Sequence, residues 1–179
     1  MAEEEKKEKW LNYLALTTVI LAVCATLSTF RGGSYSTRSV LSQSQAANQW
    51  AYFQAKSIKG YLYELQKEKL ELELKSLEAK APQDLKEAMG KKIESYGQKL
   101  KKYEGEKATI EKEARQFEVI RDQAQSHAQA FGVAVIYLQI AILLSSIAAL
   151  MKKKSVWVTG SVVGAWGVIS FLNGFWLFM

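Results

Sequence analysis

The sequence predicts an all-α integral membrane protein with three transmembrane helices and a long antiparallel two-helix coiled-coil arm. Three observations carry this expectation. Residues 10–30, 131–151 and 155–179 contain no Asp, Glu, Lys or Arg, whereas residues 31–130 hold eighteen basic and fourteen acidic residues. A heptad pattern runs along the second half of that charged stretch. The single proline, Pro82, divides the stretch into nearly equal halves.

Residues 1–9 form a short tail of mixed charge, unlike the basic opening of a secretory signal. The apolar run that follows exceeds a typical signal core, so residues 10–30 are expected to be an uncleaved first transmembrane helix. Cys24, the only cysteine, rules out a disulfide within one chain and a metal site built on cysteines. The preceding Leu21-Ala22-Val23 resembles a lipoprotein cleavage box only faintly, because Val23 is large. Arg31-Gly32-Gly33-Ser34 is expected to end this span, with the two glycines serving as a hinge at the membrane surface.

The arm, residues 31–130, begins with a helix over roughly 36–80. Ala51, Ile58, Leu65, Leu72 and Ala79 stand seven apart, and Ala55 and Leu62 complete their stripe. Leu70, Leu74 and Leu77 form a second apolar edge, which neighbouring arms are expected to bury. Ala81-Pro82-Gln83-Asp84 places the tip near 81–84, since proline disfavours helix at the residue before it and lacks a backbone donor. Asp84 and Glu87 form a variant capping box for the returning helix.

On that helix Ile93, Leu100, Lys107, Ala114, Arg121 and Ala128 share one seam position. Met89, Tyr96, Tyr103, Ile110, Phe117, Ala124 and Phe131 share the other, giving about six heptads. Two helices of roughly equal length would return the chain to the membrane after an arm of roughly 70 Å. Glu71 with Lys75, Glu87 with Lys91 and Glu111 with Arg115 are spaced to pair along a helix, each for a few tenths of a kcal/mol. Gly90 and Gly97 lie beside the seam. They either admit a close partner or loosen the outer arm, and the sequence leaves both readings open.

The second and third transmembrane helices, 131–151 and 155–179, are joined by Lys152-Lys153-Lys154. Lysines beside spans mark the cytoplasmic side. The N-terminus and the 152–154 loop of a multi-pass protein are therefore expected on the cytoplasmic side, and the arm and C-terminus on the other, which for the inner membrane of a bacterium is the periplasm. Arg31, Arg38, Arg115 and Arg121, also near span ends, leave the inverted topology open. On the third helix Gly160, Gly164, Gly167 and Gly174 make a face on which another helix, in this chain or a neighbour, can pack closely. Asn12, Gln139 and Asn173 are the strongly polar residues of the spans. Gln139 is a candidate pore-lining or interhelical contact. With no ionisable residue in any span, an ion-coupled transporter is disfavoured.

No metal-ligand, phosphate-loop or nucleophile motif occurs, and His127 stands alone, so no enzyme, cofactor or metal is expected. The net charge of +6 arises from lysines interleaved with glutamates. That describes a solvated helix surface, and no nucleic-acid partner is expected. The most distinctive local sequence is Asn48-Gln49-Trp50-Ala51-Tyr52-Phe53-Gln54-Ala55-Lys56. There Trp50 and Phe53 share a helix face while Tyr52 lies off it. Asn48, Trp50, Tyr52 and Phe53 are the candidate interaction residues, for another copy, a lipid headgroup or another protein, and aromatic packing at the base of the arm is the reading the sequence favours.

Together with the anchor before it and the paired spans after the arm, this stretch resembles the bacterial membrane proteins grouped as domain of unknown function 4337. The resemblance implies a bacterial membrane location and brings no activity or site. The functional expectation is a homo-oligomeric structural or scaffolding protein in the lipid bilayer. It would assemble through the arm, with Ile58, Leu65, Leu72, Ile110 and Phe117 as packing residues, and through the glycine face. The alternatives are a channel through the oligomer and an accessory subunit whose arm docks an envelope protein.

Overall fold

The computed structural model describes residues 2–77 and 82–178, with side chains from Lys9 onward. Among these the structure is entirely helical apart from short connections: α1 (Ala2–Leu77), α2 (Gln83–Met151) and α3 (Lys154–Trp176). All three helices are long and apolar enough to cross a membrane, with apolar windows of mean hydropathy 1.9, 2.4 and 1.5. The chain divides into two compact units, Met1–Leu41 with Ile120–Met179, and Ser42–Val119. Ala79, assigned to a seam, Ala81 at the tip and Met179 at the C-terminus lie outside the described residues.

The expected hinge at Gly32-Gly33 is not formed, because α1 continues through it without interruption. Gly32 is used for its size: a Cβ there would lie 3.1 Å from the Phe131 Cβ. The flanking hydroxyls do not cap a new helix. Ser34 Oγ donates to the Phe30 carbonyl and Thr37 Oγ1 to the Gly33 carbonyl, one turn back. Such back-bonding satisfies the hydroxyl without ending the helix.

The first unit is a three-helix bundle in which α1 and α3 run alongside α2 in the opposite direction. Contacts at successive levels define it. Trp10 meets Trp157 at a centroid separation of 6.3 Å, and Trp157 Nε1 donates to Thr17 Oγ1. Leu21, Ala25, Ala134, Leu138 and Ala141 form the middle cluster. Phe131 packs with Phe171 and Phe175 at the far level. The arrangement of polarity is the reverse of a water-soluble bundle. Ser28, Ser145, Ser170 and Asn173 are buried, whereas Leu16, Val19, Ile20, Ile136, Leu143 and Val162 are exposed.

The α2–α3 connection is tight. Lys152 takes a left-handed conformation at φ 52°, and Lys152 and Lys153 N–H groups return to the carbonyls of Ala149 and Ala148. Lysine loses roughly 1 kcal/mol there, since only glycine enters that region without a Cβ penalty.

The second unit is an antiparallel pair formed by the parts of α1 and α2 between Ser42 and Val119. Cross-helix contacts fix the direction: Gln49 with Glu113, Trp50 with Glu118, Lys56 with Glu106, and Tyr63 with Tyr96 and Tyr103. At its start α2 begins at Gln83, one residue before the expected Asp84 cap. The Pro82 carbonyl accepts the Leu85 and Lys86 N–H groups. Asp84 lies in the first turn instead, where a carboxylate still meets the positive end of the helix.

Candidate functional site

The two stripes of α1 exchange roles relative to the sequence expectation. On α1 the residues that are buried or half-buried recur at alternating spacings of four and three: Ser42, Ala46, Gln49, Phe53, Lys56, Gly60, Tyr63, Lys67, Leu70, Leu74 and Leu77. This register faces α2, so the edge Leu70-Leu74-Leu77 belongs to the hairpin's own seam. Ile58, Leu65 and Leu72, assigned to packing, are 60%, 63% and 67% exposed, and Leu62 joins them on the surface. Ala51 and Ala55 continue the same exposed stripe.

The physical reason lies in which side chains fill the seam. Tyr63 lies between Tyr96 and Tyr103 at centroid distances of 5.4 and 5.8 Å. Lys56 stands over Tyr103 and Lys99 over Tyr63, while Lys107 stands over Phe53. Aromatic rings bury more surface than the aliphatics of the other stripe, and lysine stems cover ring faces while the ammonium stays near water. On α2 the seam residues behave as their spacing indicates. Met89, Ile110, Ala114 and Ala124 are buried, and Phe117 is half-buried.

Lys56 and Glu106 form the strongest polar link in this unit. The Glu106 carboxylate holds the Lys56 amine above its ordinary value through a direct hydrogen bond, and Lys56 holds the Glu106 carboxyl below the ordinary range for the same reason. Of the three expected helix-spaced pairs, Glu87–Lys91 and Glu111–Arg115 form, at 2.7 and 2.8 Å. Glu71 turns to Lys67 at 3.5 Å instead of to Lys75.

The aromatic motif contributes mainly to this hairpin. Trp50 Nε1 donates to Glu118 Oε1 at 2.9 Å, Arg115 stands 5.8 Å over the Trp50 ring, and Phe53 meets Trp50 edge-on. Asn48 and Tyr52 are exposed, and Lys56 stands over the Tyr52 ring as well. The structure thus separates the four residues into an inward pair and an outward pair. Nothing lies within 4 Å of a Cβ built at Gly90 or Gly97, so neither glycine admits a close neighbour within the chain.

In the helical bundle the glycine face of α3 is turned inward. Gly160, Gly164, Gly167 and Gly174 are all buried. Cβ atoms built there would lie 3.1 Å from Leu144, 2.9 Å from Leu21, 3.0 Å from Leu138 and 2.6 Å from Phe131, respectively. The helices that occupy this face are the chain's own α1 and α2. Gln139 faces outward on α2 and makes no hydrogen bond to another described residue, so it is not an interhelical contact within the chain. Asn173 is buried, and its carbonyl accepts the Leu177 N–H that closes α3.

His127 is not an isolated surface residue. Its Nδ1 lies 2.8 Å from the Gly174 carbonyl, and its ring stacks on Tyr35 at 4.6 Å. A carbonyl only accepts, so Nδ1 carries the proton. No spacing in the sequence signals this cluster, because its three residues come from three helices. Among the described residues, no group of three or more His, Cys, Asp and Glu side chains is placed to hold a metal ion.

Among the described residues the geometry is that of packing surfaces. No curated protein and no solved structure gives a significant match to the chain. A family model does match, over residues 10–177 and thus nearly the whole sequence. The chain belongs to the family described as domain of unknown function (DUF4337).

Proposed function

We propose that this chain is a multi-pass protein of the bacterial inner membrane that self-assembles through its arm, a coiled coil, into a non-enzymatic scaffold. The observation that carries the reading is the exposed stripe Ala51, Ala55, Ile58, Leu62, Leu65 and Leu72 on α1. It repeats the heptad spacing of the hairpin seam but has no partner among the described residues. Contiguous apolar stripes of this kind on a water-exposed helix mark a protein contact.

A second copy is the fitting partner. In the assembly proposed here the stripe of each copy lies against the same stripe of the other, in parallel. In that register Ala51, Ile58, Leu65 and Leu72 take the d position, Ala55 and Leu62 the a position, and Lys69 the a position of the next heptad. A single lysine at an a position disfavours alternative registers at some cost in stability. Assembly here uses the arm and leaves the glycine face of α3 to its intrachain role.

Native mass spectrometry of the purified full chain, with everything that travels with it, tests the reading. The expected result is one homo-oligomeric mass, reduced to the monomer by Leu65→Asp combined with Leu72→Asp. A wild-type monomer, or a monomer bound stoichiometrically to a different protein, overturns self-assembly and makes the arm a docking device. The second reading is a permeation pathway at the centre of the oligomer, favoured by the outward amide of Gln139. Ion flux through liposomes containing the oligomer, abolished by Gln139→Leu, would support it.

A further inference from the structure

A small polar cavity lies between α1 and α2 in the helical bundle, with a volume of about 130 Å³, lined by Tyr35, Arg38, Ile120, Gln123, Ala124 and His127. Its polar groups are a guanidinium, a phenol, a primary amide and an imidazole, and none of them is a carboxylate. Arg38 makes no ion pair or hydrogen bond with another described residue. The carboxylate nearest in sequence, Asp122, is engaged by Arg121 at 2.7 Å and is held below its ordinary range by that contact. The Gly174 carbonyl, which ends the run of contacts from α3, is taken by His127 Nδ1. The guanidinium of Arg38, at the exposed mouth of the cavity, thus has no carboxylate partner among the described residues.

We infer that this cavity binds the phosphate of an anionic phospholipid headgroup. Chemistry and depth both point there. A guanidinium presents paired donors that match the oxygens of a phosphate, and the Gln123 amide and Tyr35 hydroxyl add neutral donors around it. His127 lies one helical turn, about 6 Å, beyond the start of the charge-free run of α2, and Arg38 lies about 12 Å beyond the end of the corresponding run of α1. Headgroups occupy roughly the first 5–8 Å outside the hydrocarbon core, within reach of an arginine side chain that bends toward the membrane. The stacking of Tyr35 on His127, and of Tyr35 on Phe131 at 6.0 Å, fixes one wall of the cavity. The inference rests on the membrane location proposed above but not on self-assembly.

The full chain purified in detergent is titrated with soluble short-chain phosphatidylglycerol, phosphatidylcholine and inorganic phosphate, and bound species are counted by native mass spectrometry. Flotation with vesicles of phosphatidylcholine, with and without phosphatidylglycerol, is read in parallel. Wild type is expected to retain phosphatidylglycerol in preference to phosphatidylcholine. Arg38→Gln should weaken that retention about fivefold, the effect of one basic side chain at an anionic surface. Gln123→Leu should weaken it less, and Arg115→Gln, in the other unit, not at all. Equal retention by wild type and Arg38→Gln, or no preference between the two lipids, overturns the site. Inorganic phosphate that competes at the same concentration as the lipid overturns the lipid as its source. Failure to float with any vesicle overturns the membrane location instead, and is distinguished by the binding measured in detergent.

Discussion

The two compact units are built from stretches of the same two helices, α1 and α2, yet they hold those helices together by opposite means. In the three-helix bundle the interior is small: alanines at 25, 134, 141 and 148, serines at 28 and 145, and the glycines of α3. Phe131, Leu138 and the paired tryptophans fill the remaining spaces. In the hairpin the interior is large and partly charged, with Phe53, Tyr63, Tyr96 and Tyr103 beneath lysine stems. On the membrane location proposed above, the difference follows from the surroundings. A helix with an apolar exterior gains little from hiding more apolar surface, so contact at close range decides its packing. A helix in water gains most by covering rings, and solvates its ammonium groups at the rim.

That contrast is broken most sharply at Ile110 and Leu65. Ile110 is 6% exposed in the hairpin seam, so Ile110→Ala is expected to destabilise the arm by about 2–5 kcal/mol. Leu65→Ala, on the outer stripe, should cost the folded chain no more than about 0.5 kcal/mol. Hydrogen exchange across residues 42–119 separates the two. Loss of protection belongs to Ile110→Ala, and loss of oligomeric mass with protection retained belongs to Leu65→Ala. Equal loss of protection in both variants would mean that the outer stripe is part of the fold of the single chain.

Glycines sharpen the same comparison. A Cβ at Gly167 would lie 3.0 Å from the backbone nitrogen of Leu138, which cannot turn aside, and one at Gly174 would strike the Phe131 ring, itself wholly buried. Gly167→Ala and Gly174→Ala are each expected to destabilise the bundle by about 1–3 kcal/mol. At Gly164 the obstruction is the end of the Leu21 side chain, which can rotate, so the cost there is smaller. In the hairpin the sign reverses. Gly90 and Gly97 have open space where a methyl would go, and replacement by alanine should raise stability by roughly 1 kcal/mol each. Thermal unfolding of the four variants, followed by circular dichroism in one detergent, gives the ranking. Destabilisation at Gly90 would show that another copy packs there.

Much of the architecture was legible in the sequence because charge is so unevenly distributed. The blocks free of charge coincide with the bundle, and the α2 heptads coincide with its buried positions from Met89 to Phe131. Which edge of α1 faces α2 is hard to read from sequence for a physical reason. Counting aliphatic residues favours Ile58, Leu65 and Leu72, whereas the seam is filled by Phe53, Tyr63, Lys56 and Lys67, two of which a hydropathy count scores as surface. Gly32 misled in a similar way: its sequence suggests flexibility, and its place against Phe131 requires smallness. The His127 cluster was not legible, because stacking on Tyr35 and a hydrogen bond to a backbone carbonyl of α3 leave no trace in spacing.

The smallest expected effect lies in the Lys56–Glu106 link of the hairpin seam, whose two charges depend on each other. Glu106 has its carboxyl lowered by Lys56, so the stability it contributes is full above the carboxyl's unfolded value and is lost as the pH falls through the folded one. Lys56 has its amine raised by Glu106, so its contribution is full below the unfolded amine value and is lost as the pH rises through the folded one. The pair therefore supports the hairpin across the neutral range and withdraws at both ends. Both side chains reach solvent, so the change is small. Amide protection on either side of Lys56 should decline modestly in acid in the wild type, and this decline should be absent in Glu106→Gln, which keeps a hydrogen-bond acceptor but does not titrate. A profile that is the same in both proteins would assign the acid sensitivity to other carboxylates of the arm, and would leave the aromatic ladder of Tyr63, Tyr96 and Tyr103 as what holds this level of the hairpin.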